Sequence, residues 1–172
     1  LFMNSMYAVD AYVRDYFRKA ALDALLAEKL PVTVFGEGWE KYSCGDEHSL
    51  RREPAVPFAL SFERIAKAHV LLNVSPIFNR GMHDRVPAGM ANHAVVLTDE
   101  NPYLRRTFTD GKELLFYSLE KPDTLCEQAE RTLTDVRLRE KIAASAYETF
   151  EREYTWKRRA EQILAFAEEV EA

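Results

Sequence analysis

Four short apolar runs, separated by segments of helical periodicity, constrain the fold of this chain more than any other feature. Strands that are buried on both faces read as continuous apolar runs, which is typical of parallel sheets. Their alternation with helices predicts an α/β domain with helices on both faces of a parallel sheet. The runs are PVTVFG at 31–36, VLLNVS at 70–75, AVVLT at 94–98 and ELLFYS at 113–118.

The segments before and between the predicted strands favour helices. Residues 5–29 carry apolar side chains at helical spacing and predict a long amphipathic helix. Ser61 is suited to cap a helix over FERIAKAH, and residues 84–92 predict a short helix. Asn101 and the proline after it are typical of a helix start. Residues 37–57 are rich in turn formers and charges and predict a loop.

Everything after Lys121 is predicted to be helical, so residues 121–172 form a tail to a single domain over 1–172. Apolar residues step by four through this tail, and Thr155 is suited to cap its last helix. Trp156, Ile163 and Leu164 are expected to pack onto the domain or onto a partner domain.

Composition excludes several classes of function. The chain has 172 residues, a formal net charge of -5 and no cluster of lysine and arginine, which argues against nucleic-acid binding. No apolar run approaches the roughly 20 residues that span a bilayer, and no signal peptide is recognisable. Cys44 and Cys126 lie in unlike contexts, which indicates reduced thiols in a cytoplasmic protein, without a zinc pattern. We expect neither a metal nor a cofactor.

The loops at the carboxyl ends of the strands are where a parallel sheet binds ligands. The first, GEGW, holds Gly36 and Gly38, which either allow a close backbone approach to a ligand or simply make a turn. The third, TDENPYL, holds Asp99, Asn101 and Tyr103. Its polar side chains fit hydroxyl binding and ordinary helix capping equally well.

The second loop, SPIFNRGMHDR, carries the strongest signal. Arg80, Gly81, His83 and Arg85 lie just before or at a predicted helix start, where backbone N–H groups and the helix dipole favour an anion. Arginine adds bidentate recognition of phosphate. Asp84 is expected to cap the helix or pair with an arginine, and a loop of paired surface charges is the alternative. No known nucleophile, nucleotide-loop or metal motif identifies catalytic residues.

Five segments in order resemble the C-terminal half of GT-B glycosyltransferases, in particular the bacterial group related to spore-maturation CgeB-like proteins. They are TVFGEGWEKY, AHVLLNVSPIFNRGMHDRV, MANHAVVLTDENPYL, FTDGKELLFYSLE and YTWKRRAEQIL. The resemblance implies a Rossmann-like domain that binds a nucleotide-sugar donor. It also implies a second, N-terminal domain that binds the acceptor. Because both domains position the substrates, the chain alone is expected not to transfer sugar.

Four positions depart from that family. The group commonly has lysine at His69, glycine at His93, a bulky aromatic residue at Pro87 and, in related retaining enzymes, a ribose-binding glutamate near Ala88. The departures at Ala88 and His93 favour a binding module that kept the fold without the chemistry. The retained residues His83, Arg85, Asp99 and Asn101 favour the donor domain of a cytoplasmic glycosyltransferase. A flavodoxin-like or receiver-like domain is a third interpretation, disfavoured by the long helical tail and by the lack of an acidic cluster after the first strand.

Overall fold

The structure, a computed structural model, describes residues 2–171 and the side chains of 6–170. Strands and helices alternate through the first two thirds of the chain, and three helices follow. In chain order the elements are α1 (Phe2–Ala27), β1 (Val32–Phe35), β2 (Leu50–Glu53), α2 (Phe58–Ile65), β3 (Val70–Asn73), α3 (Arg85–Ala91), β4 (Val95–Asp99), α4 (Pro102–Thr107), β5 (Leu115–Tyr117), α5 (Pro122–Thr134), α6 (Val136–Glu153) and α7 (Trp156–Glu171).

Every described pairing between these strands is parallel, as the alternating pattern predicts. β3, β4 and β5 form one sheet, with Val70 opposite Val95 and Leu97 opposite Leu115. Each crossover in this sheet contains a helix, α3 between β3 and β4 and α4 between β4 and β5. The α/β fold with a parallel sheet is therefore confirmed.

The prediction of one four-stranded sheet is wrong in two respects. Residues 37–57 are not all loop, because β2 lies within them and pairs with β1. In the described chain, β1 is hydrogen-bonded to β2 and not to β3. The sequence of β2, LRRE, hides this strand because only Leu50 is buried. Charged side chains are tolerated there because β2 lies at an edge.

Helices cover both faces of the three-stranded sheet. Along β4, Val95 and Leu97 pack into one core cluster with residues of α1 and α5, and Val96 packs into another with residues of α3, α4 and α6. This alternation follows from the period of two in a strand. The helix–sheet–helix layering is the three-layer arrangement expected of a Rossmann-like domain.

The predicted helix starts are partly confirmed. Asn101 caps α4, since its Oδ1 accepts from the backbone N–H of Leu104 at 2.8 Å, and Thr155 Oγ1 accepts from the N–H of Arg158 at 3.3 Å. The prediction for Ser61 is wrong. The helix begins earlier, at Phe58, and the Ser61 hydroxyl lies inside it and donates to the Phe58 carbonyl oxygen.

Large apolar side chains on α1 and α7 are exposed. On α7, Trp156 is 90% exposed, and Ile163 and Leu164 are also exposed, so they do not pack onto the domain as one alternative required. On the first half of α1, Tyr7 and Tyr12 are exposed as well. Packing against a partner domain stays a prediction.

Across residues 2–171, none of the helices has the length and hydrophobicity needed to cross a bilayer.

Candidate functional site

Polar side chains meet where β3, β4 and β5 end. Asn73 Nδ2 donates to Thr98 Oγ1 at 2.9 Å, linking the ends of β3 and β4. The Tyr117 hydroxyl, at the end of β5, donates to the Asn73 carbonyl oxygen at 3.1 Å. The backbone N–H of Ser75 donates to Asp99 Oδ1 at 2.7 Å. These bonds fix the floor of a site at the carboxyl edge of the sheet.

Asp99 is the charged group of this floor. It is only 3% exposed, and burial raises the pKa of its carboxyl to about 6, against the opposing effects of the Ser75 hydrogen bond and the Arg85 charge. Burial disfavours the charged form of an acid, which gives the direction of this shift. The carboxyl therefore titrates close to neutral pH.

His83 and Arg85 lie together at the start of α3, as their sequence positions predict. Arg85 Nη2 lies 3.0 Å from His83 Nε2, and His83 Nδ1 lies 2.5 Å from Asp84 Oδ1. The backbone N–H and the Nε–H of Arg85 also donate to His83 Nδ1, at 3.2 Å and 3.4 Å. Asp84 thus pairs with the histidine and gives α3 no side-chain cap.

The surroundings of His83 favour a neutral imidazole. Burial lowers its pKa, and the neighbouring Arg85 charge lowers it further, against the attraction of Asp84. A neutral ring that accepts from Arg85 orients the guanidinium. That His83 and Arg85 both bind phosphate stays a prediction.

Arg85 is a half-buried cation without a carboxylate counter-ion. Among the described residues no carboxylate oxygen lies within 4.0 Å of its guanidinium. Burial lowers the pKa of Arg85, and nearby Asp84 and Asp99 raise it. Because arginine remains protonated in proteins, the charge persists. An anion would complete this arrangement.

Asn101 and Gly81 connect two of the site loops. Asn101 Nδ2 donates to the carbonyl oxygens of Phe78 at 2.8 Å and Gly81 at 3.3 Å. With its Oδ1 capping α4, the amide of Asn101 is occupied by internal bonds. Arg80 lies on the same loop with its side chain exposed.

Gly36, Gly38 and Tyr103 are the other predicted site residues. Gly36 and Gly38 adopt left-handed φ angles of 120° and 91° after β1, with open space where a Cβ would be, so the turn itself requires glycine. Tyr103 is half-buried against the core cluster of α3, α4 and α6. The described hydrogen bonds of the floor involve Asp99 and none of these three residues, whose ligand roles stay predictions.

Sequence reasoning missed Asn73, Ser75 and Tyr117. Each lies at or just beyond the end of an apolar run, and such positions are the signal that could have identified them.

Two of the positions that depart from the family pattern, Ala88 and His93, have structural features that bear on the departure. Ala88 lies on α3 with a methyl group that accepts no hydrogen bond, and its carbonyl oxygen accepts from Asn92 Nδ2 at 2.8 Å. His93 has a left-handed φ of 56°, which explains why glycine is usual there. Its ring stacks on Tyr147 with a centroid distance of 4.2 Å.

A cavity of about 460 Å³ lies at the opposite end of the sheet. Its lining includes His69, His93, Arg139 and Tyr147, so it is separate from the carboxyl-edge site. No group of three or more histidine, cysteine, aspartate or glutamate side chains within the described part of the chain is placed to hold a metal ion.

Comparison with known proteins identifies the family. Residues 14–165 match a family model described as glycosyl transferase-like. The chain belongs to this glycosyl transferase-like family. No curated protein matches the sequence.

Solved glycosyltransferase structures share the fold. Anabaena HepE in complex with UDP has a TM-score of 0.73 at 11% identity, over 90% of this chain and 44% of that one. TarM has a TM-score of 0.66 at 12% identity, over 87% of this chain and 31% of that one. The C-terminal domain of LpcC from Francisella tularensis has a TM-score of 0.50 at 12% identity, over 77% of this chain and 92% of that one. The chain therefore spans less than half the length of HepE and TarM.

Proposed function

We propose that this chain is the donor-binding domain of a cytoplasmic bacterial glycosyltransferase of the CgeB-like group. It binds a nucleotide sugar, and an N-terminal domain in the complete protein binds the acceptor. Family membership supports the reaction class, and the HepE complexes with UDP and UDP-glucose support the donor class. The match to an isolated C-terminal domain supports the domain assignment. The free thiols of Cys44 and Cys126 support a reducing compartment.

The observation that carries the proposal is the half-buried Arg85 without a carboxylate partner. It lies at the carboxyl edge of a parallel sheet, beside the first backbone N–H groups of α3. A diphosphate placed there supplies the missing counter-charge, and guanidinium binds two phosphate oxygens at once. His83 contacts the guanidinium through both ring nitrogens, and Asp99 is the carboxylate that would meet hydroxyl groups of the ribose or sugar.

Binding of UDP, inorganic pyrophosphate and uridine to the 172-residue chain tests this role. Arg85→Ala is expected to weaken UDP and pyrophosphate binding about ten- to a hundred-fold, because charge-assisted hydrogen bonds contribute about 1.5–3 kcal/mol. Uridine binding is expected to change less than twofold. Equal weakening of UDP and uridine, or a large loss of melting temperature without a phosphate-specific effect, would contradict the role.

A binding module without transferase chemistry is the second candidate, favoured by the methyl group of Ala88 where related enzymes carry a glutamate. Restoring the carboxylate with Ala88→Glu distinguishes the two. In a donor domain the variant leaves phosphate binding intact and strengthens the binding of UDP relative to that of pyrophosphate. An unchanged UDP-to-pyrophosphate affinity ratio favours the binding module.

A further inference from the structure

The first half of α1 lies over the carboxyl edge of the sheet. The end of α1 lies at the opposite edge, because Leu22 and Leu26 cluster with Leu50, the first residue of β2. A helix of 26 residues is about 39 Å long, whereas a strand of five residues spans about 17 Å. The helix therefore extends past the strand ends, on the side where the site lies.

Two arginines continue the buried face of α1 into this extension. Arg14, Arg18, Ala21 and Leu25 follow one another at spacings of four, three and four, which places them on one side of the helix. Ala21 and Leu25 are buried in the core cluster that includes Val74, just beyond β3. Arg18 thus lies one helical turn before Ala21 and Arg14 lies two turns before it, both on the face toward the site loops.

The charges of these arginines act on the site residues. Arg18 lowers the pKa of Arg85, second only to burial, and it also lowers the pKa of His83. Arg14 lowers the pKa of His83 too. These effects agree with the position of both arginines on the face of α1 that points toward the site loops.

Carboxylates compensate this convergence only in part, because Asp84 and Asp99 act on Arg85 without lying within 4.0 Å of its guanidinium. Arg18 pairs with Asp15 at 3.9 Å, but the Asp15 side chain is 79% exposed, so solvent screens the pair. Arg14 pairs with Asp10 on its own helix. Three like-charged guanidiniums that share one region repel one another, and a multivalent anion between them would remove this cost.

We propose that Arg14 and Arg18 of α1 join Arg85 in a three-arginine site that binds the diphosphate of the donor. The inference rests on the proposed function and extends it, because α1 becomes part of the donor site together with the strand-end loops. Arg18 is the stronger ligand, because it lies nearer the buried residues Ala21 and Leu25 and its ion pair with Asp15 is long.

Calorimetric titration of the 172-residue chain with inorganic pyrophosphate, UDP and uridine tests the proposal. Arg18→Ala is expected to weaken pyrophosphate and UDP binding about tenfold, and Arg14→Ala several-fold, with little change for uridine. Arg18→Lys keeps the charge and is expected to recover part of the affinity. The control is Arg64→Ala, an exposed arginine in the last turn of α2, which is expected to change binding less than twofold.

The melting temperature separates binding from a structural role. Without ligand, Arg18→Ala is expected to melt at the same temperature as the parent chain or slightly higher, because it removes a repulsion. A lower melting temperature with equal loss of all three ligands overturns the inference. The inference is also overturned if both α1 variants keep the parent affinity for pyrophosphate while Arg85→Ala loses affinity. That outcome leaves the proposed function supported. Failure of the parent chain to bind UDP and pyrophosphate overturns both.

Discussion

Asn101 at the start of α4 donates from Nδ2 to the Phe78 carbonyl oxygen at 2.8 Å, so one side chain joins the loop after β3 to the loop after β4. Its Oδ1 accepts from the N–H of Leu104 at the same time. The residue therefore fixes both the start of a helix and the shape of the neighbouring site loop.

Replacing this side chain should be costly. Asn101→Ala is expected to lower the free energy of unfolding by about 2 kcal/mol, because a helix cap is lost and buried backbone groups lose their partner. Urea denaturation measures the change. The control is Thr107→Ala at the far end of α4, whose exposed hydroxyl only donates to the Tyr103 carbonyl oxygen, with an expected change below about 0.5 kcal/mol. Similar losses in both variants would contradict the bridging role.

The contact between α3 and the sheet depends on Gly89. A Cβ built there would lie 2.5 Å from Val96 Cγ2 and 3.0 Å from Leu71 Cδ2. Gly89→Ala is therefore expected to destabilise the fold by about 1–3 kcal/mol through overpacking. The matched control is Gly45→Ala, since nothing lies within 4 Å of the position that its new methyl group would take. Chemical denaturation should leave the control within about 0.5 kcal/mol of the parent, and an equally tolerated Gly89→Ala would show that α3 can move away from the sheet.

The buried Asp99 makes stability depend on pH. Its pKa of about 6 lies above the usual value of about 3.9 for an unfolded chain, so the native state holds more protons between these values. The contribution of this group is therefore most favourable below about pH 4 and is lost as the pH rises through about 6. The total change is about 2–3 kcal/mol.

Asp99→Asn isolates this effect from other titrating groups. Urea denaturation of both proteins should show the variant gaining about 2 kcal/mol relative to the parent between about pH 4.5 and pH 7. A constant difference across this range would mean that the carboxyl titrates in its ordinary range in the native state.

The last helix contributes little to the isolated chain. Because Trp156, Ile163, Leu164 and Phe166 are all exposed, removing residues 156–172 should change the free energy of unfolding by less than about 1 kcal/mol. The same truncation should reduce self-association, measured by sedimentation, since it removes exposed apolar surface. A large destabilisation would show that α7 packs onto the domain in solution.

The strands that the sequence predicts correctly are those built mainly from apolar side chains, whether buried throughout like β4 or only partly like β1 and β3. β4 is buried along its whole length, so its apolar run is unambiguous. β2 has one buried side chain, and its arginines serve local bonds, with Arg52 Nε donating to the Trp39 carbonyl oxygen at 3.0 Å. Hydrophobicity cannot reveal such a strand, because its pairing comes from the backbone.

The site was predictable where its residues are neighbours in the chain. His83 and Arg85 could be paired by position alone, whereas the neutral state of His83 depends on burial that only the folded chain creates. The reach of Asn101 to Phe78 depends on the strand order, which places the two loops side by side. Arg14 and Arg18 come from a distant helix, and only the length and direction of α1 bring them to the same edge.

No hydrogen bonds between β1 and β3 are described, so the two small sheets are expected to open separately during amide hydrogen exchange. Opening the β1–β2 pair breaks one short ladder of backbone hydrogen bonds and its side-chain contacts. Exposing β4 requires its separation from both β3 and β5 and from the helices on both faces. Amide protons of β1 and β2 should therefore exchange through a smaller opening, and faster, than those of β4. The proposed donor site belongs to the unit expected to exchange slowly, while the glycine turn after β1 belongs to the unit expected to exchange fast.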